Sequence, residues 1–160
     1  MHPPPPTPEH LWLHRLLGSW TWAQERVPGQ PGEDHEHEDT IERWRTQGDA
    51  WVVGEGDSHG PMMFTLGYDT AKGRFVGSFI TALATHFWTY DGHLDGPDKL
   101  VLFAVGPNMG PGGGMANFRD EIEFMGPDER VLRSYMEMAD GTWEQFMQAR
   151  SRRVLATPAG

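Results

Sequence analysis

Residues 7–22 have the sequence Thr-Pro-Glu-His-Leu-Trp-Leu-His-Arg-Leu-Leu-Gly-Ser-Trp-Thr-Trp, and the spacing of the apolar residues changes inside this stretch. Thr7 followed by Pro8 is typical of a helix start, because a hydroxyl caps the first turn and proline fits its first position. The leucines that follow are spaced for one helix face, and Gly18 ends the helix. From Gly18 onward apolar and polar residues alternate, as they do in strands. The stretch therefore predicts one short helix followed by a first strand.

The rest of the chain predicts ten short antiparallel strands joined by hairpin-length links. Turn residues, mainly Gly with Pro or Asp, recur at strand-length intervals. Ten such strands lose their exposed edges most simply by closing into a barrel whose interior can hold one small molecule. We therefore predict an all-β, up-and-down antiparallel barrel with a short N-terminal helix. Its strands are predicted over 18–27, 34–46, 50–58, 62–69, 74–82, 86–92, 98–105, 115–125, 130–138 and 142–153.

The length of 160 residues predicts a single domain. Residues 1–6, with four prolines, are expected to form a disordered tail, 7–155 the barrel domain, and 156–160 a flexible C-terminus. Residues 106–114 hold five glycines and two prolines in an otherwise compact meander. This segment is either a lid over the barrel mouth or a solvent loop with no role.

Composition excludes several classes of function. The formal charge of -10 repels nucleic acid and anionic membranes. Without cysteine there are no disulfides, thiol nucleophiles or iron–sulfur sites. The sequence has no secretory signal pattern and no apolar run long enough for a membrane helix, and its mean hydropathy is -0.57, so we expect a cytoplasmic protein. Phosphate-loop and dinucleotide fingerprints are missing, and we expect no cofactor.

The segment Gly18-Ser19-Trp20 follows the predicted helix directly and opens the first strand. It resembles the first-strand signature of the calycin superfamily, which holds the lipocalins and the fatty-acid-binding proteins. In those proteins the tryptophan closes the barrel base, and an arginine from the last strand lies over it. The resemblance implies a calycin-like barrel with Trp20 at its base and an arginine above, for which the last strand offers Arg150, Arg152 and Arg153.

A second resemblance covers most of residues 8–153 and implies the same fold without implying any chemistry. The chain is similar to the bacterial domain-of-unknown-function family 1579, a calycin-like family. The matching segments are Pro8-Glu9-His10-Leu11-Trp12-Leu13, Leu17-Gly18-Ser19-Trp20, Trp51-Val52-Val53-Gly54-Glu55-Gly56, Thr65-Leu66-Gly67-Tyr68-Asp69, Gly73-Arg74-Phe75-Val76-Gly77, Met115-Ala116-Asn117-Phe118-Arg119-Asp120 and Ile122-Glu123-Phe124.

Alternation places large apolar side chains on common strand faces, in greater supply than a small barrel uses as filler. We predict that the interior binds one small, mostly apolar molecule that carries an aromatic ring or a carboxylate. Arg150 either holds that carboxylate or covers Trp20. The candidate ligand-binding residues are Trp22, Met62, Phe64, His86, Trp88, Tyr90, Phe118, Asp120, Met136, Phe146 and Arg150.

Two of these residues, His86 and Asp120, suggest an enzyme as an alternative function. On the sixth predicted strand His86, Trp88 and Tyr90 share one face, and the sequence leaves open whether that face points inward. Asp120 lies among apolar neighbours, so it either accepts from a buried donor or has a raised pKa. If His86 and Asp120 converge, they suit a cofactor-free acid/base isomerase, cyclase or hydrolase. The sequence leaves open whether any reaction is catalysed.

A third hypothesis is haem or metal binding. A haem would need a cavity-facing axial histidine, with His86 as the first candidate. For a metal, His35, His37 and Asp39 would project from one side of a strand, although a further ligand would be needed from elsewhere. A solvated acidic strand explains the same pattern, and no metal site is our main expectation.

The number of tryptophans also favours self-association of the protein. Trp44, Trp51 and Trp143 are predicted to be exposed, and large aromatics are enriched at protein contacts. We therefore expect a homodimer in which one sheet face meets its own copy.

Overall fold

A computed structural model of the protein describes residues 1–58 and 60–155, without the side chains of 35–39. The helix α1 covers Pro8–Leu13 and continues into a single 3-10 turn, His14–Leu16. Thr7 caps it as predicted, and His10 completes the cap by accepting a hydrogen bond from the Thr7 backbone at 2.9 Å. The opposite nitrogen of His10 donates to the Tyr68 carbonyl at 2.9 Å, which ties the helix to the barrel.

Ten strands follow, and they form one closed antiparallel barrel. Each strand pairs with its neighbours in sequence, and β1 pairs with β10 to close the ring. This confirms the predicted up-and-down barrel. The strands are β1 (Gly18–Glu25), β2 (His35–Gln47), β3 (Trp51–Gly56), β4 (Met62–Asp69), β5 (Arg74–Thr81), β6 (Trp88–Leu94), β7 (Lys99–Pro107), β8 (Met115–Gly126), β9 (Glu129–Glu137) and β10 (Trp143–Arg152).

The sixth strand was predicted two residues too early. The last pair that β6 makes with β5 joins Phe79 to Trp88, so residues 82–87 form the link between the two strands. Because β6 then runs on to Leu94, the strand keeps its length but begins beyond His86. This shift removes His86 from the row of side chains that alternation predicts.

The helix covers one end of the barrel, which we call the closed end. Trp12, Leu16 and Trp20 are buried there with Phe124, and the indole N–H groups of Trp12 and Trp20 each donate to a backbone carbonyl at 2.7 Å. The guanidinium of Arg153 lies 4.2 Å from the Trp20 ring centroid. Arg153 directly follows β10, and it is the one of the three arginines named from the resemblance, Arg150, Arg152 and Arg153, that lies over Trp20.

The opposite end, which we call the mouth, has no helix in the described part of the chain. The links 26–34, 57–61, 82–87, 108–114 and 138–142 lie there, residue 59 being outside the described residues. A backbone hydrogen bond from Ala82 to the Pro61 carbonyl, 2.9 Å long, joins two of these links. Along the described residues, no helix combines the length and the apolar character needed to cross a membrane.

Candidate functional site

The barrel encloses a cavity of about 390 Å³ between the closed-end core and the mouth. Small-molecule pockets in proteins usually have volumes of about 300–1,000 Å³. Most of the lining is apolar or aromatic, with a few polar groups between. The apolar lining consists of Trp22, Trp44, Met62, Phe64, Phe79, Trp88, Leu102, Ala104, Met109, Phe118, Ile122, Leu132, Phe146 and Met147.

Two glycines leave room for the tryptophan rings of this wall. The Trp44 ring lies over Gly54 of the paired strand β3, where an added Cβ would come within 2.4 Å of the ring. The Trp88 ring lies over Gly106 in the same way, with 2.1 Å for an added Cβ. Because glycine has no side chain, the two indole rings can lie against the barrel wall at these positions. Any other residue at either position would displace a ring.

One side of the wall is a continuous aromatic stack centred on Phe64. Its ring centroid lies 4.5 Å from Phe79, 5.8 Å from Trp44 and 6.2 Å from Tyr90. The rings of Phe64 and Tyr90 are nearly parallel, at 14°. This stack presents ring faces from β2, β4, β5 and β6 around a single cavity, a surface suited to a flat apolar molecule.

A polar trio interrupts the apolar wall. Asp120 accepts hydrogen bonds from the Tyr90 hydroxyl at 2.8 Å and from the Ser134 hydroxyl at 2.6 Å. Burial raises the pKa of the Asp120 carboxyl, and the two hydrogen bonds oppose that rise. Burial, together with the nearby Asp120 charge, raises the pKa of Tyr90 well above its ordinary value, so the phenol keeps its proton. The buried donor and the raised pKa expected as alternatives for Asp120 therefore occur together.

A buried ion pair lies deeper, between the cavity and the closed-end core. Arg130 donates to the carboxylate of Glu42 at 2.7 Å, and both side chains are 4% exposed. The same Glu42 oxygen accepts from the Trp44 indole at 2.5 Å. The Arg130 guanidinium lies 4.7 Å from the Trp20 ring centroid, and its Nε has no hydrogen-bond partner in the described residues.

Eight of the eleven candidate ligand-binding residues line this one cavity. They come from five strands, which shows how closure of the barrel brings distant segments together. They are Trp22, Met62, Phe64, Trp88, Tyr90, Phe118, Asp120 and Phe146.

The structure places His86 apart from the cavity lining. Its Nε2 lies 2.9 Å from the Val105 carbonyl, and its ring packs edge-on against Trp88 at 4.7 Å. Asp120 has Tyr90 and Ser134 as its partners instead, so the pairing of His86 with Asp120 that the acid/base hypothesis needs does not form. The haem hypothesis loses its candidate axial ligand for the same reason, since the described lining contains no histidine.

Arg150 points away from the cavity, contrary to the inward orientation considered from the sequence. It forms ion pairs with Glu25 and Glu129 on the outer face. The cause is a register shift between Gln145 and Met147, which reverses the alternation along β10. Phe146 therefore lines the cavity mouth while Arg150, four residues on, faces solvent.

The remaining candidate, Met136, is buried but does not belong to the lining. It lies opposite Phe118 in register, close to Gly110 of the glycine-rich segment. Met109 of that segment does line the cavity. The segment is internally bonded, because the Asn108 side chain accepts from Gly110 at 2.9 Å and donates to Gly113 at 3.1 Å.

Several residues of the site were not among the candidates from the sequence, and the polar or aromatic ones with named contacts are Glu42, Trp44, Phe79, Arg130 and Ser134. Trp44 was predicted to be exposed, but it is 5% exposed and lies inside the barrel with Glu42. Arg130 was not considered, although alternation back from Met136 through Ser134 places it on the inward face. That pattern was the available signal.

The metal hypothesis falls on residues whose side chains the structure does not describe. His35, His37 and Asp39 lie outside the described side chains. Among the side chains that are described, no group of three or more His, Cys, Asp or Glu could hold an ion.

Fold and cavity together define a small closed β-barrel whose interior cavity is lined mainly by apolar and aromatic side chains. The chain matches a family model described as "Protein of unknown function (DUF1579)" over residues 5–153, and it belongs to that family. No curated protein matches it. One similar solved structure is titled "Structure of EF1p2_mFAP2b bound to DFHBI", with 11% identity, a TM-score of 0.39, and coverage of 91% of this chain and 99% of that chain. A likeness this distant transfers neither a fold nor a ligand.

Proposed function

We propose that the protein binds one small, mostly apolar molecule with an aromatic ring inside the barrel. The observation that carries this proposal is the cavity of about 390 Å³ with fourteen apolar or aromatic lining residues. A barrel without a ligand would be expected to fill its interior with side chains, because packed cores leave few voids larger than a water molecule. A cavity whose lining is mostly apolar favours a mostly apolar occupant.

The polar groups of the wall would orient this molecule. Asp120 with its two hydroxyl partners lies on one side, and the Glu42–Arg130 pair lies at the base. A few convergent polar groups in an apolar pocket are typical of ligand sites. The carboxylate-bearing ligand considered from the sequence is not favoured, because Arg150 faces outward and Glu42 already balances the charge of Arg130.

The glycine-rich segment supports a role at the cavity mouth. Met109 contributes to the lining although 59% of its surface is exposed, so it lies between the cavity and solvent. We propose that residues 108–114 act as the lid that gates access to the cavity. Glycines give such a segment the backbone freedom to open.

Two expectations from the sequence stay predictions. One is the cytoplasmic location. The other is the homodimer, whose support is reduced because Trp44 is buried and only Trp51 and Trp143 remain on the outer face.

A matched pair of neighbouring substitutions tests the proposed function. Ala104 lines the cavity, whereas the next residue, Val105, is 53% exposed on the outer face. The neutral dye prodan would be titrated into wild type, Ala104→Phe and Val105→Phe, with energy transfer from tryptophan as the signal. We expect saturable binding at one site per chain in wild type and Val105→Phe, and its loss in Ala104→Phe. Absence of saturable binding in wild type, or equal binding in the two variants, would contradict the proposal.

A further inference from the structure

The charged groups that face the cavity do not balance. Two carboxylates, Asp120 and Glu42, and one guanidinium, Arg130, line it among the described residues. Glu42 and Arg130 neutralise each other at 2.7 Å. Asp120 has hydroxyl partners only, and none of the ion pairs formed by the described residues includes it. Among the described residues, the cavity wall therefore has one carboxylate, Asp120, with no cationic side chain beside it.

An unpaired carboxylate inside a protein is costly, and the trio does not remove that cost. Hydroxyl donors satisfy part of its hydrogen-bonding capacity but bring no positive charge. An ionised carboxylate has about four acceptor positions, and Tyr90 and Ser134 use two of them. Since Asp120 belongs to the cavity lining and each of its oxygens accepts only one hydrogen bond from the described residues, it can accept a further hydrogen bond from a molecule in the cavity.

The surroundings of Asp120 also suit a cation. Aromatic ring faces attract positive charge, and Tyr90 and Phe64 present nearly parallel rings to the same cavity. The formal charge of -10 gives the whole protein a field that repels anions and attracts cations.

Resting on the proposed function, we propose that the ligand is an organic cation: a small aromatic molecule with a primary ammonium group that binds Asp120. The ammonium donates hydrogen bonds to the Asp120 carboxylate, and the aromatic ring lies against the Phe64 stack. With this occupant the charges inside the barrel sum to zero. A carboxylate-bearing ligand would instead raise the excess negative charge to two.

Three compounds of similar size separate charge from apolar contact. Naphthylmethylamine is protonated at neutral pH, naphthylmethanol is neutral and naphthoate is an anion. Calorimetric titration of each into wild-type protein is expected to rank the amine first, the alcohol about tenfold weaker, and naphthoate weakest. A preference for the alcohol or for naphthoate would overturn the proposal, and this comparison needs no variant.

A matched pair of variants assigns the preference to Asp120. Asp120→Asn removes one interior charge with little change of shape, whereas Glu121→Gln removes one charge from the next residue, which forms an ion pair with Arg119 on the outer face. The amine preference should disappear in Asp120→Asn and persist in Glu121→Gln. An equal preference in both variants would overturn the assignment.

The outcomes distinguish the proposal of a cationic ligand from the more general proposal that the barrel binds a small molecule. If naphthylmethanol binds wild type as well as the amine does, the cation proposal fails while ligand binding in the barrel stands. If none of the three compounds binds and prodan does not bind either, both proposals fail.

Discussion

Phe124 and Phe118 lie on the same strand, face the barrel interior and are equally buried, at 4% exposure, yet their surroundings differ. Phe124 belongs to the closed end, where Trp12 and the Arg15 guanidinium lie 5.3 and 4.3 Å from its ring. Phe118 contacts Trp88 and Phe146 and also borders the cavity. Low exposure alone therefore does not separate a filled core from a binding site. The helix α1 covers the end around Phe124, whereas the described residues of the mouth contain no helix, and this makes the difference.

The first test of this comparison truncates each phenylalanine. Phe124→Ala is expected to lower the free energy of unfolding by about 4 kcal/mol, because it opens a void in a filled core. Phe118→Ala should lower it by at least about 1 kcal/mol less than Phe124→Ala does, since part of the Phe118 ring faces the cavity and not packed side chains. Urea denaturation measures both values. Equal losses would mean that the two regions are packed alike.

The next largest loss of stability is expected at the Glu42–Arg130 ion pair, which lies between the closed-end core and the cavity. Glu42→Gln keeps an acceptor for Trp44 but leaves the Arg130 charge buried without a partner, and it should cost about 3 kcal/mol. The double variant Glu42→Gln/Arg130→Met removes the charge and should recover part of that loss. Thermal or urea unfolding of the three proteins provides the measurement. A double variant less stable than Glu42→Gln would show that the unpaired Arg130 charge is not the cause of the loss in the single variant.

Asp120 predicts a pH dependence of stability at the cavity wall. Its pKa in the folded protein is raised above the ordinary value of 3.8, so the folded state binds this proton more tightly than the unfolded chain. The contribution of Asp120 to the free energy of unfolding therefore falls as pH rises from 3.8 to the raised pKa, and is constant above it. Tyr90 and Ser134, the groups in contact with Asp120, do not titrate in that range.

Comparison with Asp120→Asn isolates this contribution. The difference in unfolding free energy, wild type minus variant, should decrease with rising pH across that window in a series of urea denaturations. A difference that rises with pH would show that the folded state favours the ionised carboxyl.

The smallest effect on stability is expected at the mouth. Met109→Ala removes a largely exposed side chain and should change the free energy of unfolding by less than about 0.5 kcal/mol. If residues 108–114 gate the cavity, the same change should speed release of prodan in a stopped-flow experiment. Unchanged release rates would remove the proposed role of the segment.

Much of the fold was predictable because its signals are local. Thr7 with Pro8 marks the helix start, glycines mark the turns, and the two-residue period identifies residues that share a strand face. Closure followed from the number of strands and the short links between them. The alternation also grouped Trp88 with Tyr90 and Phe118 with Asp120, and both pairs line the cavity.

The candidate site was less predictable because it depends on register and on pairing across the barrel. The irregularity at Phe146 reverses the alternation of β10 and turns Arg150 outward, and no sequence pattern announced it. Glu42 and Arg130 lie 88 residues apart, so only the closed barrel brings them together. The partners of Asp120 likewise come from two other strands, which the sequence alone does not bring into contact.

The central claim is that the interior of the barrel is a ligand site, and a crystal of the protein soaked with bromonaphthalene tests it most directly. Anomalous scattering from bromine identifies the position of the ligand by its element. We expect one bromine site inside the barrel, between the Phe64 stack and Phe118. Bromine bound only on the outer face, with the interior closed by side chains, would contradict the account.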